Sequence, residues 1–469
     1  MRLLFDLSSL VRWRGPTVGM IRAQQQLARY ARAHRPDVVF TVFDAAYSCP
    51  RAIRPEWIDA VIDNEASIEP SLVFTPGIRD HPILRRMPRA FCEAFFWATK
   101  FRRKRISEAE RRLLDSPGRK NPRAEKIIRQ MMKPGERTLY LNADGSLRPC
   151  PPLDMILDDT LDLAADDILV SAQSDWFHIE IDAVAADQRR RGLRHVILCY
   201  DVIPILFPGW YADHDVSYFR NYYSRAFASA DRVIFNARVN ERDARSYCRS
   251  LGFDLADTRI VPLGSDIPAE ARADSLPAGL DPGRFALYVS TIEPRKNHRM
   301  LVDVWHRLVS EGPISATGFK LVFVGRPGWM MEDFFAGLVA DPEYGRSILH
   351  LSDLSDTAIA ALYAKAAFSV YPSIYEGYGL PPTESMLVGT PVIASTGGSL
   401  PEVIGDSGLC LDPADADLWH REIGRMITDE VYRRSWAARA RAYRHVSWHE
   451  AGEKFFAAVA EPFAPRTAS

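Results

Sequence analysis

Short apolar runs of strand length alternate with segments of helical period along almost the whole chain. In the first part, "RLLFDLS" reads as a strand, "RWRGPTVGM" as a glycine-containing loop, and about 21–33 as a helix. "DVVFTVFD", "RHVILCYDV" and "DRVIFNA" read as further buried strands. Residues 257–282 turn irregular ("PAEARADSLPAGLDPG") and read as a linker. A second series then begins with "RFALYVST" and continues through "FKLVFVG", "SILHLSD", "AFSVYPS" and "TPVIAST". Strand and helix in strict alternation predict parallel α/β sheets. Two such Rossmann-like units joined by a linker predict a cleft between them, where α/β folds commonly hold ligands.

Length agrees with this division, since 469 residues exceed what one core organises. A net charge of -1 argues against a nucleic-acid binder that works by its overall field. The six cysteines are scattered without a CxxC pair, which suits a reducing compartment and neither a zinc site nor a disulfide framework. "MRLLFDLSSL" is interrupted by Asp6 too early for a signal peptide, and no apolar run reaches the roughly 18 residues of a membrane span. The expectation is a cytoplasmic protein, soluble or peripheral at the inner face of the membrane.

One region breaks the pattern. Residues 100–137 hold fourteen Lys and Arg against five acids, and residues 138–187 hold eleven acids against Arg148 alone. The basic block follows the aromatic "FCEAFFWATKF". One reading is an insertion, about 95–165, whose charged helical faces are solvated or pair with each other. The other is peripheral membrane contact through 95–137 by an amphipathic helix among anionic headgroups.

Candidate chemistry lies mainly in the second unit. "EPRKNH" follows a strand and opens a helix, so backbone donors and a partial positive charge face the same place as Arg295 and Lys296. Lys as a point charge and Arg as a two-pronged donor suit a diphosphate; an ion pair with a carboxylate elsewhere is the plainer reading. In "YEGYGLPPTESMLVGTPV", Glu376 follows a buried strand at its carboxyl end. Gly377 and Gly379 allow a close backbone approach, Pro381 and Pro382 suit a first helical turn, and Glu384 is expected in that same turn. Both carboxylates are suited to accept from sugar or ribose hydroxyls; a helix-dipole role for Glu384 is the simpler alternative. "DPADAD" reads as a solvated loop and N-cap, and the histidines show no metal-ligand spacing, so no metal or other cofactor is expected.

The sequence "STIEPRKNH", "FVGRPGW" and "YEGYGLPPTESMLVGTPVIASTGGSLPEVIGDSG", with Glu376 and Glu384 as its paired acids, resembles the retaining GT-B glycosyltransferases of family 4. Within them it is similar to bacterial mannosyltransferases of O-antigen and exopolysaccharide assembly. The likeness is dense over about 284–408 and sparse before it. It implies a GT-B fold of two Rossmann-like domains facing a cleft, 1–270 for the acceptor and 283–445 for the nucleotide sugar. A helix at 446–465 would cross back to the first domain. It implies that Glu376 holds the donor sugar's hydroxyls, Glu384 the ribose, and Lys296 with Arg295 the leaving diphosphate. Backbone at Gly379 and Leu380, beside Tyr378, would touch phosphate or sugar, and the loops after Gly325 and around Leu354 would flank the base. In the first domain, Gly19 would let the backbone approach, Arg22 would lie near the cleft, and Asp201 would face it.

Two positions depart from the family pattern. Thr291 stands where many relatives carry a phosphate-binding Arg, and Tyr200 stands where many carry a His before Asp201. The expected activity is transfer of a hexose, GDP-mannose being the donor implied, to an oligosaccharide or lipid-linked acceptor. The alternatives are a nucleotide-sugar epimerase of the same fold and a catalytically inactive sugar-nucleotide binder or assembly factor.

Overall fold

The computed structural model describes residues 2–13, 19–44, 48–66, 139–141, 147–149, 153–172, 178–266 and 276–463. The basic block at 95–137 lies outside them. Two large sheets organise the chain. The first contains β1 (Leu3–Asp6), β2 (Val38–Asp44) and β3 (Cys49–Ile53); a separate two-stranded ribbon, β4 (Leu139–Leu141) and β5 (Leu147–Pro149), follows in sequence. The first sheet resumes with β6 (Leu157–Thr160), β7 (Ile168–Ser171), β8 (Arg194–Cys199), β9 (Arg232–Phe235) and β10 (Thr258–Ile260). Its spatial order is β10-β9-β8-β7-β1-β2-β3-β6. The six strands from β10 to β2 are parallel, and β3 and β6 add antiparallel pairs at one edge.

The second sheet is parallel throughout: β11 (Phe285–Val289), β12 (Lys320–Val324), β13 (Ile348–Leu351), β14 (Phe368–Tyr371), β15 (Val392–Ser395) and β16 (Leu409–Leu411), in the order β13-β12-β11-β14-β15-β16. Strands buried on both faces need continuous apolar sequence, and β12 and β14 show it as LVFV and FSVY. Trp305, Trp419, Phe319 and Phe323 fill the second core.

Three features were hidden from the pattern. Thr258–Ile260 pairs with β9 as an edge strand, so the irregular connection begins later than residue 257. β7 sits centrally between β1 and β8, although its apolar run is only ILVS inside an acid-rich stretch. β16 has three residues and is held by its register with β15.

The last described helix, Trp448–Ala460, leaves the second sheet's side and packs into the first core, with Phe455 and Phe456 against Phe5. Buried Arg232 fixes its end by donating to the carbonyls of Ala458 and Pro462, while pairing with Asp257 at 2.7 Å. No described helix is long and apolar enough to cross a membrane.

Candidate active site

The carboxyl ends of β11, β12, β13 and β14 meet those of β8 and β9 across a cleft of about 670 Å³. Every site residue singled out from the sequence lines it: Gly19, Asp201, Thr291, Arg295, Lys296, Gly325, Leu354, Glu376, Tyr378, Gly379, Leu380 and Glu384.

At the centre is a compact charged cluster. The chain leaves β11 into a short turn, Pro294–Lys296, which ends at Asn297 in the left-handed region before the helix His298–Ser310. The Asn297 side chain ties this turn down by donating to Pro372 O and Pro413 O. Glu376 arrives from β14 and is bound on both oxygens, by Lys296 and by Arg295 at 2.7 Å. Arg295 also pairs with buried Glu293 at 2.8 Å and donates to Tyr375 O. Burial pushes the Glu376 carboxyl up, but Arg295 and Lys296 outweigh it and hold it down at about 2. Burial and the neighbouring Arg295 push Lys296 below its ordinary value, against the pull of Glu376 and Glu293. Two cations and two anions therefore balance at the floor of the cleft, and an incoming anion would have to compete with Glu376 for the cations.

Asp201 faces this cluster from the end of β8. One carboxylate oxygen accepts from Ile203 N at 3.0 Å, and burial raises its pKa. The two halves approach closely here. A Cβ on Gly377 would stand 2.4 Å from an Asp201 carboxylate oxygen, so only glycine fits. Asn240 of the first half donates to Gly377 O and fixes the same contact. Tyr200 lines the cleft, and its hydroxyl donates to Ala172 O at 3.0 Å.

The second acid is placed differently from expectation. Glu384 is the fifth residue of the helix Leu380–Leu387, so it begins the second turn and is not in the first. The first turn is taken by Pro381 and Pro382, which carry no N–H and leave Gly379 and Leu380 as the backbone donors at this end. Gly379 supports that geometry with φ +103°. Glu384 is paired with Arg22 of the first half at 2.9 Å, and Arg22 also reaches Asp356 at 2.8 Å. Tyr363 donates to the other Glu384 oxygen at 3.3 Å. Burial raises the Glu384 pKa, with Arg22 and Tyr363 opposing it.

The remaining residues frame the space. Gly325 and Leu354 follow β12 and β13 on one side, and exposed Thr291 follows β11. Gly19 precedes the helix Met20–His34 across the cleft. Tyr378 spends its hydroxyl on Leu263 O at 2.8 Å, a link between the halves. Sequence reasoning missed Glu293, Asn240 and Tyr211, whose phenol lies within electrostatic reach of Arg295 and Asp201. Glu293 stands in the quoted "EPRKNH" and was open to notice as a carboxylate beside two cations. Tyr211 and Asn240 carry no local signal. "DPADAD" becomes a loop and cap, Asp415 accepting from Leu418 N at 2.9 Å.

Residues 278–443 match the family described as "Glycosyl transferases group 1". In overall shape the chain superposes on the crystal structure of Anabaena HepE in complex with UDP and glucose. That match has a TM-score of 0.56, 14% identity, and covers 97% of this chain and 98% of that one. TarM gives the same TM-score at 11% identity, covering 98% and 99%. The fold is GT-B, and residues 278–443 are similar to the group 1 glycosyl transferases. Among curated proteins, the O-antigen chain mannosyltransferase B of Escherichia coli is 39% identical over 165 residues, 35% of this chain and 42% of that protein. The MMP alpha-(1->4)-mannosyltransferase of Mycolicibacterium hassiacum is 34% identical over 200 residues, 40% and 44% of the two chains. The chain thus spans less than half the length of these relatives.

Proposed function

We propose that this GT-B protein transfers a hexose from a nucleotide-diphosphate sugar to an oligosaccharide or lipid-linked acceptor in surface-polysaccharide synthesis. Its mannosyltransferase relatives support mannose as the sugar, and GDP-mannose is the donor carried over from the sequence resemblance. The observation that carries the reading is Glu376 held between Arg295 and Lys296 at the floor of a cleft that Glu384 and a helix N-terminus also face.

The chemistry follows from that arrangement. A donor diphosphate entering beside Gly379 and Leu380 draws Lys296 and Arg295 away from Glu376. The released carboxylate then accepts from hydroxyls of the transferred sugar. Glu384, once Arg22 yields it, accepts from the ribose. As the bond from the anomeric carbon to the diphosphate breaks, negative charge grows on the leaving oxygen, where the two cations and the helix end stabilise it. The acceptor hydroxyl attacks from the same face and gives its proton to the departing phosphate oxygen. Configuration is thereby retained without a covalent sugar-enzyme intermediate.

The test is product analysis with GDP-mannose, UDP-glucose and dTDP-glucose, each with and without mannose-containing acceptors. Preferential GDP release with an α-linked product supports the whole reading. An inverted product overturns retention. The use of the Tyr200 hydroxyl on Ala172 O favours one second reading, a protein that binds sugar nucleotides without transfer. Tight nucleotide binding with no release from any donor would establish that reading.

A further inference from the structure

Single exposed apolar side chains are normal on a protein surface, but a cluster of them is not. Among the described residues, the exposed large hydrophobics are Leu206, Tyr218, Leu251, Trp329, Met330, Val339, Ile374 and Val431. Four of these, Leu206, Trp329, Met330 and Ile374, belong to or directly adjoin in sequence an aromatic cluster built where the two halves meet. Trp329, 42% exposed on the loop after β12, donates its indole N–H to Trp210 O at 2.6 Å. Its ring lies 5.6 Å from Tyr211. Phe207 stacks on Trp210 at 4.4 Å and meets Tyr375 at 5.1 Å. Leu206 and Ile374 adjoin Phe207 and Tyr375 in sequence, and Met330 adjoins Trp329. Loops from both sheets thus build one aromatic rim.

The rim is continuous with the charged cluster. Tyr375 immediately precedes Glu376, and its carbonyl accepts from Arg295 at 3.1 Å. The Tyr211 phenol lies within electrostatic reach of Arg295, Asp201, Glu293 and Glu376. A chain-like ligand resting on the rim would therefore run towards the reacting centre.

We infer that this rim is a stacking platform for a neutral oligosaccharide, the part of the acceptor remote from its reacting hydroxyl. The inference rests on the transferase reading above and extends it to the acceptor. The faces of pyranose rings present C–H groups, which suit the electron-rich faces of Trp329 and Tyr211. The nearby charge favours a neutral glycan over an anionic membrane. Asp213 and Asp215 open the helix that follows Tyr211, and Asp243 accepts from the Tyr375 hydroxyl and pairs with Arg242. Anionic headgroups would meet the exposed Asp213 carboxylate, which can accept from sugar hydroxyls, while Asp243 is already taken up by Tyr375 and Arg242.

The test uses saturation-transfer NMR on the full chain with methyl α-mannoside and with mannotetraose, maltotetraose, cellotetraose and chitotetraose. Trp329→Ala and Trp329→Phe are compared with the wild-type protein, and nucleotide affinity is measured on all three. The expected result is millimolar or tighter binding of at least one tetrasaccharide, weakened tenfold or more in Trp329→Ala and largely restored in Trp329→Phe. An unchanged thermal unfolding midpoint shows that the variants are folded, and nucleotide affinity of the wild type tests the transferase reading separately. No binding of any tetrasaccharide by the wild type, or equal binding by Trp329→Ala, overturns the platform. Trp329-dependent binding of phosphatidylglycerol vesicles in place of sugars also overturns it and makes the rim a membrane contact. If a tetrasaccharide binds through Trp329 but no nucleotide binds anywhere, the platform stands and the transferase reading falls.

Discussion

At the scale of single residues, the cleft floor is a set of charges that neutralise one another until something else enters. Lys296 is buried against Glu376 with Arg295 beside it, and in the proposed reaction its charge passes from Glu376 to the donor diphosphate. Lys296→Ala is expected to lower kcat on the order of a hundredfold or more, by removing a charge aimed at the leaving group. Steady-state rates measure this, and wild-type turnover in the variant would refute the phosphate role. Glu376 gives a pH signature. Its folded pKa, about 2, lies below the ordinary 4.5, so the stability from its ion pairs is complete above 4.5 and is lost as pH falls towards 2. The kcat/KM profile, which reports the free enzyme, should show no acid limb from this group between pH 5 and 9. Acid unfolding of Glu376→Gln compared with wild type checks the sign: the stability difference should shrink as pH falls below 4.5. Gly377→Ala would push a methyl group into Asp201 and should abolish transfer while leaving unfolding cooperative.

At the scale of elements, the runs "RFALYVST", "FKLVFVG" and "AFSVYPS" were legible as strands because fully buried parallel strands need unbroken apolar sequence. Glu376 and Lys296 were legible for a related reason, since each follows such a run where α/β folds place their ligands. β7 was not, because four apolar residues among acids become a central strand only when β1 and β8 flank them. Glu384 was placed one turn early because two consecutive prolines occupy the start of its helix. The anchoring of the last helix was also out of reach. Arg232 meets Ala458 O and Pro462 O across more than two hundred residues of sequence. Arg232→Ala leaves Asp257 with Arg259 as its remaining cation and strips the donors from Ala458 O and Pro462 O, and should cost about 1–3 kcal/mol in urea denaturation. A change under about 1 kcal/mol would show that apolar packing alone holds this helix.

At the scale of the molecule, the halves are joined over the cleft by polar contacts that no local pattern announces. Arg22 and Glu384, 362 positions apart, are the clearest case. Arg22 occupies the carboxylate proposed for the ribose, so nucleotide binding and the contact between halves compete for one group. Arg22→Ala is expected to raise the radius of gyration of the nucleotide-free protein in small-angle X-ray scattering. An unchanged profile would mean that other contacts, such as Tyr378 with Leu263, suffice to hold the halves. The measurement that bears most directly on the proposed activity is calorimetric titration with GDP, UDP and dTDP, on the wild type and on Glu384→Ala. A clear preference for GDP, lost in Glu384→Ala while the variant remains folded, is the expected result. Binding of none of the three by folded wild-type protein would contradict a donor site in this cleft.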